Sequence, residues 1–102
     1  MLNQIVLVGR LVQDPEIKEL ENDKKVGNII LAVTRSYKNA DGIYETDFIP
    51  VTLWQGIAEN VKEYCKKGDL VGVRGRLQVR EGKVEVIGEK ATFLSSKAKE
   101  EE

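Results

Sequence analysis

The chain has 102 residues, with 16 Lys and Arg against 17 Asp and Glu, one cysteine and no histidine. That length makes one domain, with no room for a second core. The composition excludes an internal disulfide, a zinc site built from His and Cys, and a Ser-His-Asp or Cys-His mechanism.

The first element is Ile5-Val6-Leu7-Val8, continuing past Gly9 to Val12. It is apolar without alternation and so wants cover on both faces. One face suits a barrel core. The other needs a second subunit or loops of the chain itself. Asp14-Pro15 breaks the strand, and a polar stretch follows from Glu16 to Lys25. The second strand runs from Gly27 to Tyr37. Asn39-Ala40-Asp41-Gly42 is a turn, and the third strand runs from about Tyr44 to Trp54. A helix is predicted from about Gly56 to Lys67, where Ile57, Val61 and Cys65 recur every four residues beside Ala58 and Tyr64. Lys66 and Lys67 fall in its last turn and Gly68 at its C′ position. Cys65 reads as a small core residue. The fourth strand is Leu70 to Arg80, Glu81-Gly82 a tight connection, and the fifth strand Lys83 to about Leu94. Residues 1–94 form the domain, and the polar tail 95–102 is expected to fray. Five strands with a helix between the third and fourth is the layout of an all-β OB-fold, a Greek-key barrel.

Side chains alternate across a strand. In the third strand Ile49, Val51 and Leu53 share one face, while Tyr44, Phe48 and Trp54 share the other. Three aromatics thus point away from the core. Arg35 and Tyr37 continue the second strand beyond its core stretch, and Lys38 follows at the hairpin tip. In the fourth strand Val71, Val73, Gly75, Leu77 and Val79 make an apolar face. Arg74, Arg76 and Arg80 line the opposite side with Gly72 and Gln78. Gly72 and Gly75 leave room for a close approach or a bend. Aromatic platforms beside a basic stripe suit single-stranded nucleic acid: any base can stack, and cations neutralise phosphates. Two other readings fit the same faces. The aromatic row can be a subunit interface, and the arginines a solvated face paired with Glu85 and Glu89 on the next strand.

The formal net charge is -1, which argues mildly against a nucleic-acid partner. Residues 97–102 hold two Lys and three Glu, a net of -1, so residues 1–96 are neutral. A neutral body can still carry one basic face. No apolar run approaches the ~20 residues of a membrane span. Met1-Leu2-Asn3-Gln4 leads into the first strand without a basic leader, so a secretory signal is not expected. With a lone cysteine, this fits the reducing cytoplasm.

Several segments in one colinear order resemble bacterial single-stranded DNA-binding proteins. They are Met1-Leu2-Asn3-Gln4-Ile5-Val6-Leu7-Val8-Gly9-Arg10-Leu11 with Asp14-Pro15-Glu16; Asp47-Phe48-Ile49-Pro50-Val51-Thr52-Leu53-Trp54 with Ala58-Glu59-Asn60; and Tyr64-Cys65-Lys66-Lys67-Gly68 with Val71-Gly72-Val73-Arg74-Gly75-Arg76-Leu77. The resemblance spans essentially residues 1–94. It implies an OB-fold, usually a homotetramer, that coats single-stranded DNA in replication, recombination and repair, with no cofactor and no catalysis. It implies that bases stack on Tyr37, Phe48 and Trp54, that Arg80 contacts DNA, and that Lys66 and Lys67 lie near its path. Arg35, Lys38, Arg74 and Arg76 join the site from the face sorting alone. Two departures stand out. The last hairpin is cut to Glu81-Gly82 where the family has a long basic loop with another stacking aromatic. The ending Lys97-Ala98-Lys99-Glu100-Glu101-Glu102 lacks the hydrophobic finish of the tail that usually recruits replication and repair proteins. The alternative is a dimeric primosome-type OB-fold accessory protein. An RNA-binding barrel is a further rival, although nothing here reads a 2′-hydroxyl recognisably.

Overall fold

The computed structural model describes residues 1–96. β1 (Ile5–Leu11) opens the chain, followed by a short β2 (Glu16–Glu19) and one 3₁₀ turn at Glu21–Asp23. β3 (Lys25–Lys38), β4 (Tyr44–Trp54), α1 (Gly56–Tyr64), β5 (Leu70–Arg80) and β6 (Lys83–Ser95) complete it. The sheet order is β1-β5-β6-β4-β3-β2, and β1 also pairs with β3 through Arg10 and Leu11. That last pairing closes β1, β5, β6, β4 and β3 into a five-stranded barrel, as the OB layout requires. β4 and β6 run parallel where they meet, at Val51–Leu53 and Val86–Gly88.

The core lies inside this ring. Ile29, Leu31, Val51, Leu53, Val71 and Val73 are all about as buried as side chains become, with Val86 beside them. α1 closes one end with Ala58 and Val61. Cys65 joins the same cluster, and burial, then the Asp69 carboxylate, push its thiol pKa up. The thiol therefore packs as a small neutral group. Tyr64, expected beside the helix's apolar stripe, is instead exposed.

Several boundaries differ from the sequence reading: β1 ends at Leu11 rather than Val12, and β3 runs from Lys25 to Lys38 rather than from Gly27 to Tyr37. β2 was missing from that reading, because four residues with one apolar side chain, Ile17, carry no period. Its charged residues suit an edge strand laid on β3, outside the closed ring. The helix ends at Tyr64, not Lys67. Cys65 still donates to the Val61 carbonyl at 2.9 Å, but its own backbone is extended. The next N–H, of Lys66, goes to the Asp69 carboxylate at 3.0 Å, and that capture stops the helix. Gly68, at φ 93, serves the turn that follows rather than a helix C′ position. Ser95, assigned to the tail, is the last residue of β6. The rest of that expected tail, from residue 97, lies outside the described residues.

Asp69 is 2% exposed and holds the 65–69 loop against β1. Its carbonyl accepts from Leu11 N–H at 3.0 Å, and Gly68 N–H donates to the Leu11 carbonyl at 2.8 Å. Replacing Asp69 by Ala takes the charged acceptor away from the part-buried Lys66 N–H. The expected cost is about 1–3 kcal/mol, read as a lower urea midpoint with an unchanged m-value.

β1 has its core side as predicted, with Leu11 buried and Ile5 and Leu7 packed against the cluster. Its other side is bare: Val6 is 66% and Val8 49% exposed. The chain's described loops do not cover it. β5 also departs from expectation. Its apolar face is core only as far as Gly75; Leu77 and Val79 are exposed, because the β5–β6 hairpin runs on beyond the barrel. Its tip, Glu81-Gly82, has positive φ at both residues, the geometry of a two-residue hairpin turn.

Candidate nucleic-acid interface

β4 leaves the core with every second residue. Ile49, Val51 and Leu53 point in; Tyr44, Thr46, Phe48, Pro50, Thr52 and Trp54 point out. Phe48 is 65% and Tyr44 52% exposed, while Trp54 is half-buried opposite Val26 of β3. Phe48 and Trp54 are six residues apart, so they stand about 20 Å apart along the strand. Pro50 lies opposite Ile30 of β3 and gives the ladder no N–H. Directly after Trp54 the chain turns through Gln55, at φ 55, into α1. Gln55 N–H donates to the Lys25 carbonyl at 2.9 Å, and its side-chain oxygen accepts from Lys25 N–H at 3.3 Å. This clamp fixes the end of the strand that carries Trp54.

Tyr44 belongs to the same row. Lys38 Nζ lies 5.6 Å from its ring centroid, a cation–π pair across the hairpin. The sequence reading put Tyr44 on this face but left it out of the site. Its shared parity with Phe48 and Trp54 was the available signal. Tyr37 is also exposed, in the irregular stretch where the β3–β4 register shifts between Thr34 and Lys38.

Besides Lys38, the predicted cations fall into three groups. Arg35 is already committed. Its Nε and Nη2 donate to the two Asp47 oxygens at 3.0 and 2.9 Å, and its Nη1 pairs with Glu45. That bidentate bond raises the Arg35 pKa further and holds the Asp47 carboxyl below the usual carboxylate range. Arg76 and Arg80 lie near the aromatic strand. Thr52, Ile87 and Arg76 are register partners across β4, β6 and β5, with Ile87 buried between the other two, which puts Arg76 about 10 Å sideways from Thr52. Arg80 lines a cleft of about 380 Å³ with Pro50, Thr52 and Lys83. Both arginines have carboxylate neighbours: Arg76 pairs with Glu89 at 3.3 Å and Arg80 with Glu85 at 3.8 Å. The ion-pair reading is thus realised at Arg76 and Arg80.

Lys66, Lys67 and Arg74 stand apart. The loop carrying Lys66 and Lys67 is tied to β1 and to Asp14, whose carboxylate accepts from Lys67 N–H at 2.8 Å. Both side chains are exposed. Arg74 faces out beside Val6 and Lys90, on the β1 side of the barrel, with no ion pair among the described residues. Asp14 and Asp69 escaped the sequence reading as positioning groups, since a carboxylate that binds backbone N–H leaves no spacing pattern.

A model of the single-strand binding protein family matches residues 2–100. The chain belongs to this family. It is 43% identical over 109 residues to single-stranded DNA-binding protein B of Bacillus subtilis (strain 168), covering 98% of this chain and 96% of that one. Single-stranded DNA-binding protein 1 of Clostridium acetobutylicum is 46% identical over 106 residues, with 94% and 96% covered. Single-stranded DNA-binding protein 2 of Staphylococcus aureus (strain COL) is 47% identical, covering 95% of this chain and 76% of that one. The first two single-strand binding relatives are thus matched over nearly their whole lengths. Among the described residues of this family member, no helix is long and apolar enough to cross a membrane.

Proposed function

We propose that this chain binds and protects single-stranded DNA without strong sequence preference, as a non-catalytic coat in replication, recombination and repair. The observation that carries the reading is the outward row Trp54, Phe48 and Tyr44 on one strand, with Lys38 over Tyr44 and Arg76 and Arg80 alongside. A base has two π-faces and no need of a matching hydrogen-bond pattern to stack. Trp54, Phe48, Tyr44 and Tyr37 take bases, and Lys38, Arg76 and Arg80 take phosphates. Lys66, Lys67 and Arg74 extend the basic surface away from this row, and Arg35 reaches phosphate only by leaving Asp47. Such a role belongs in the cytoplasm, with the nucleoid.

Trp54 is the only tryptophan, so its fluorescence reports one position per subunit. Titration with poly-dT should quench it, duplex should not, and the affinity should fall with salt by about 0.7 log unit per log unit of salt for each phosphate neutralised. Absence of quenching and of competition at low salt would end this reading in favour of a protein-binding face.

The coat also self-associates, as a homotetramer or, failing that, a dimer. Val6 and Val8 are exposed on β1, and from Ile5 to Val8 that strand has a partner only on its β5 side. A bare strand edge with apolar side chains is a template for a second copy. Val6→Lys should shift light-scattering mass to a smaller species with the circular dichroism unchanged. An unaltered mass would move the interface elsewhere. A wild-type dimer at every concentration, paired with weak dT binding, would favour the primosome-type accessory reading.

A further inference from the structure

The outer face of the β5–β6 hairpin carries a continuous polar ladder. Glu89 Oε2 meets Arg76 Nη1 at 3.3 Å. Arg76 Nη2 donates to Gln78 Oε1 at 3.1 Å, Gln78 Nε2 donates to Glu85 Oε1 at 2.8 Å, and Glu85 Oε1 lies 3.8 Å from Arg80 Nε. The two arginines and two carboxylates of the ladder cancel, with Lys83 beside Arg80 in the cleft. The ladder is nevertheless the strip beside the aromatic strand, with Arg76 in register with Thr52 and Arg80 in the cleft lined by Pro50 and Thr52.

We infer that Glu85 and Glu89 are affinity-limiting residues, built-in anionic competitors that occupy Arg76 and Arg80 until phosphate displaces them. The inference rests on the proposed binding of single-stranded DNA and adds a control on its strength. The geometry allows exchange. Arg76 and Glu89 have side chains 41% and 52% exposed, so that pair sits in water and is weak; Arg80 is 62% exposed and its contact with the more covered Glu85, 20% exposed, is long at 3.8 Å. Gln78 holds Glu85 by a hydrogen bond, so this carboxylate stays close when Arg80 swings to a phosphate. It then repels the phosphate and shortens the bound lifetime. A coat that must be removed again gains speed of release from such a device.

The test uses the full chain and labelled oligo-dT. Glu85→Gln and Glu89→Gln keep shape and hydrogen-bonding capacity while removing charge. Together they should tighten binding by about two- to thirty-fold at low salt, mainly by slowing dissociation, since each exposed pair is worth about 0.2–1 kcal/mol. The salt slope should steepen by up to about 1.4, two phosphates' worth on single strands. Glu21→Gln, at the distant 3₁₀ turn, is the charge-matched control. The gain should also vanish when Arg76→Gln and Arg80→Gln are present. If wild type binds dT and the double Gln variant binds no tighter than the Glu21→Gln control, or keeps its gain without the arginines, the ladder is overturned. Wild type failing to bind dT at all would sink the proposed function, and this inference with it.

Discussion

Alanine at both Trp54 and Phe48 is expected to weaken poly-dT binding by between about 30-fold and 20,000-fold, at about 1–3 kcal/mol for each stacked base. The barrel should stay folded. Phe48 is 65% exposed and supports no core residue, and Trp54 lies outside the core cluster, packed only at the strand's end. The measurement is anisotropy of a labelled oligonucleotide against each single variant and the pair. Circular dichroism and the urea midpoint serve as the folding control. The two sites stand about 20 Å apart on a rigid strand, so their effects should nearly add. Wild-type affinity in the double variant would remove the β4 row from the interface. The face would then belong to a partner protein or to a second subunit.

Gly75→Ala is expected to cost stability at or above the upper end of the about 1–3 kcal/mol typical of overpacking. A Cβ at Gly75 would stand 1.9 Å from the Ile87 carbonyl oxygen and 2.9 Å from its carbon. Those are backbone atoms of the neighbouring strand and cannot turn aside. The site is also where the β5–β6 register slips, between Arg74 and Gly75, and where the sheet bends to close the barrel. Opening that contact pulls β6 from β5 near Gly88, which itself lies against Leu53 and Val73. For a domain this size each kcal/mol moves Tm by about 4–8 °C, so the variant should melt roughly 12 °C or more below wild type. Gly72→Ala is the contrast. Its Cβ would meet Leu94 Cδ1 at 3.5 Å, an ordinary contact, and the change should leave Tm within a few degrees. Equal losses at both glycines would mean that chain flexibility, not the close approach, matters at Gly75. Sequence alone could flag both glycines, but only the sheet register separates the one that the barrel needs from the one that it tolerates.

The five long strands, the helix and the outward aromatics were legible along the chain because each depends on neighbours in sequence. A period of two sorts β4 into Ile49, Val51 and Leu53 against Phe48 and Trp54, and a spacing of four sets Val61 and Cys65 inward. Alternation and helical pitch are properties of the local backbone, so a one-dimensional pattern carries them. Tertiary structure decided what depends on residues distant in sequence. Asp69 ends the helix early by taking the Lys66 N–H and fastens the loop to Leu11. β2 exists because β3 offers it an edge. The charge state of the arginine faces belongs to the same class. Arg35 reads as a free cation along its strand, while Arg76 and Arg80 admit both phosphate contacts and pairing with Glu85 and Glu89; each of the three meets a carboxylate from across a hairpin: Asp47, Glu89 and Glu85. Residue type and parity determined which face each side chain takes. Pairing register, which brings residues 5 to 13 positions apart into hydrogen-bond range, decided which of those charges are already answered.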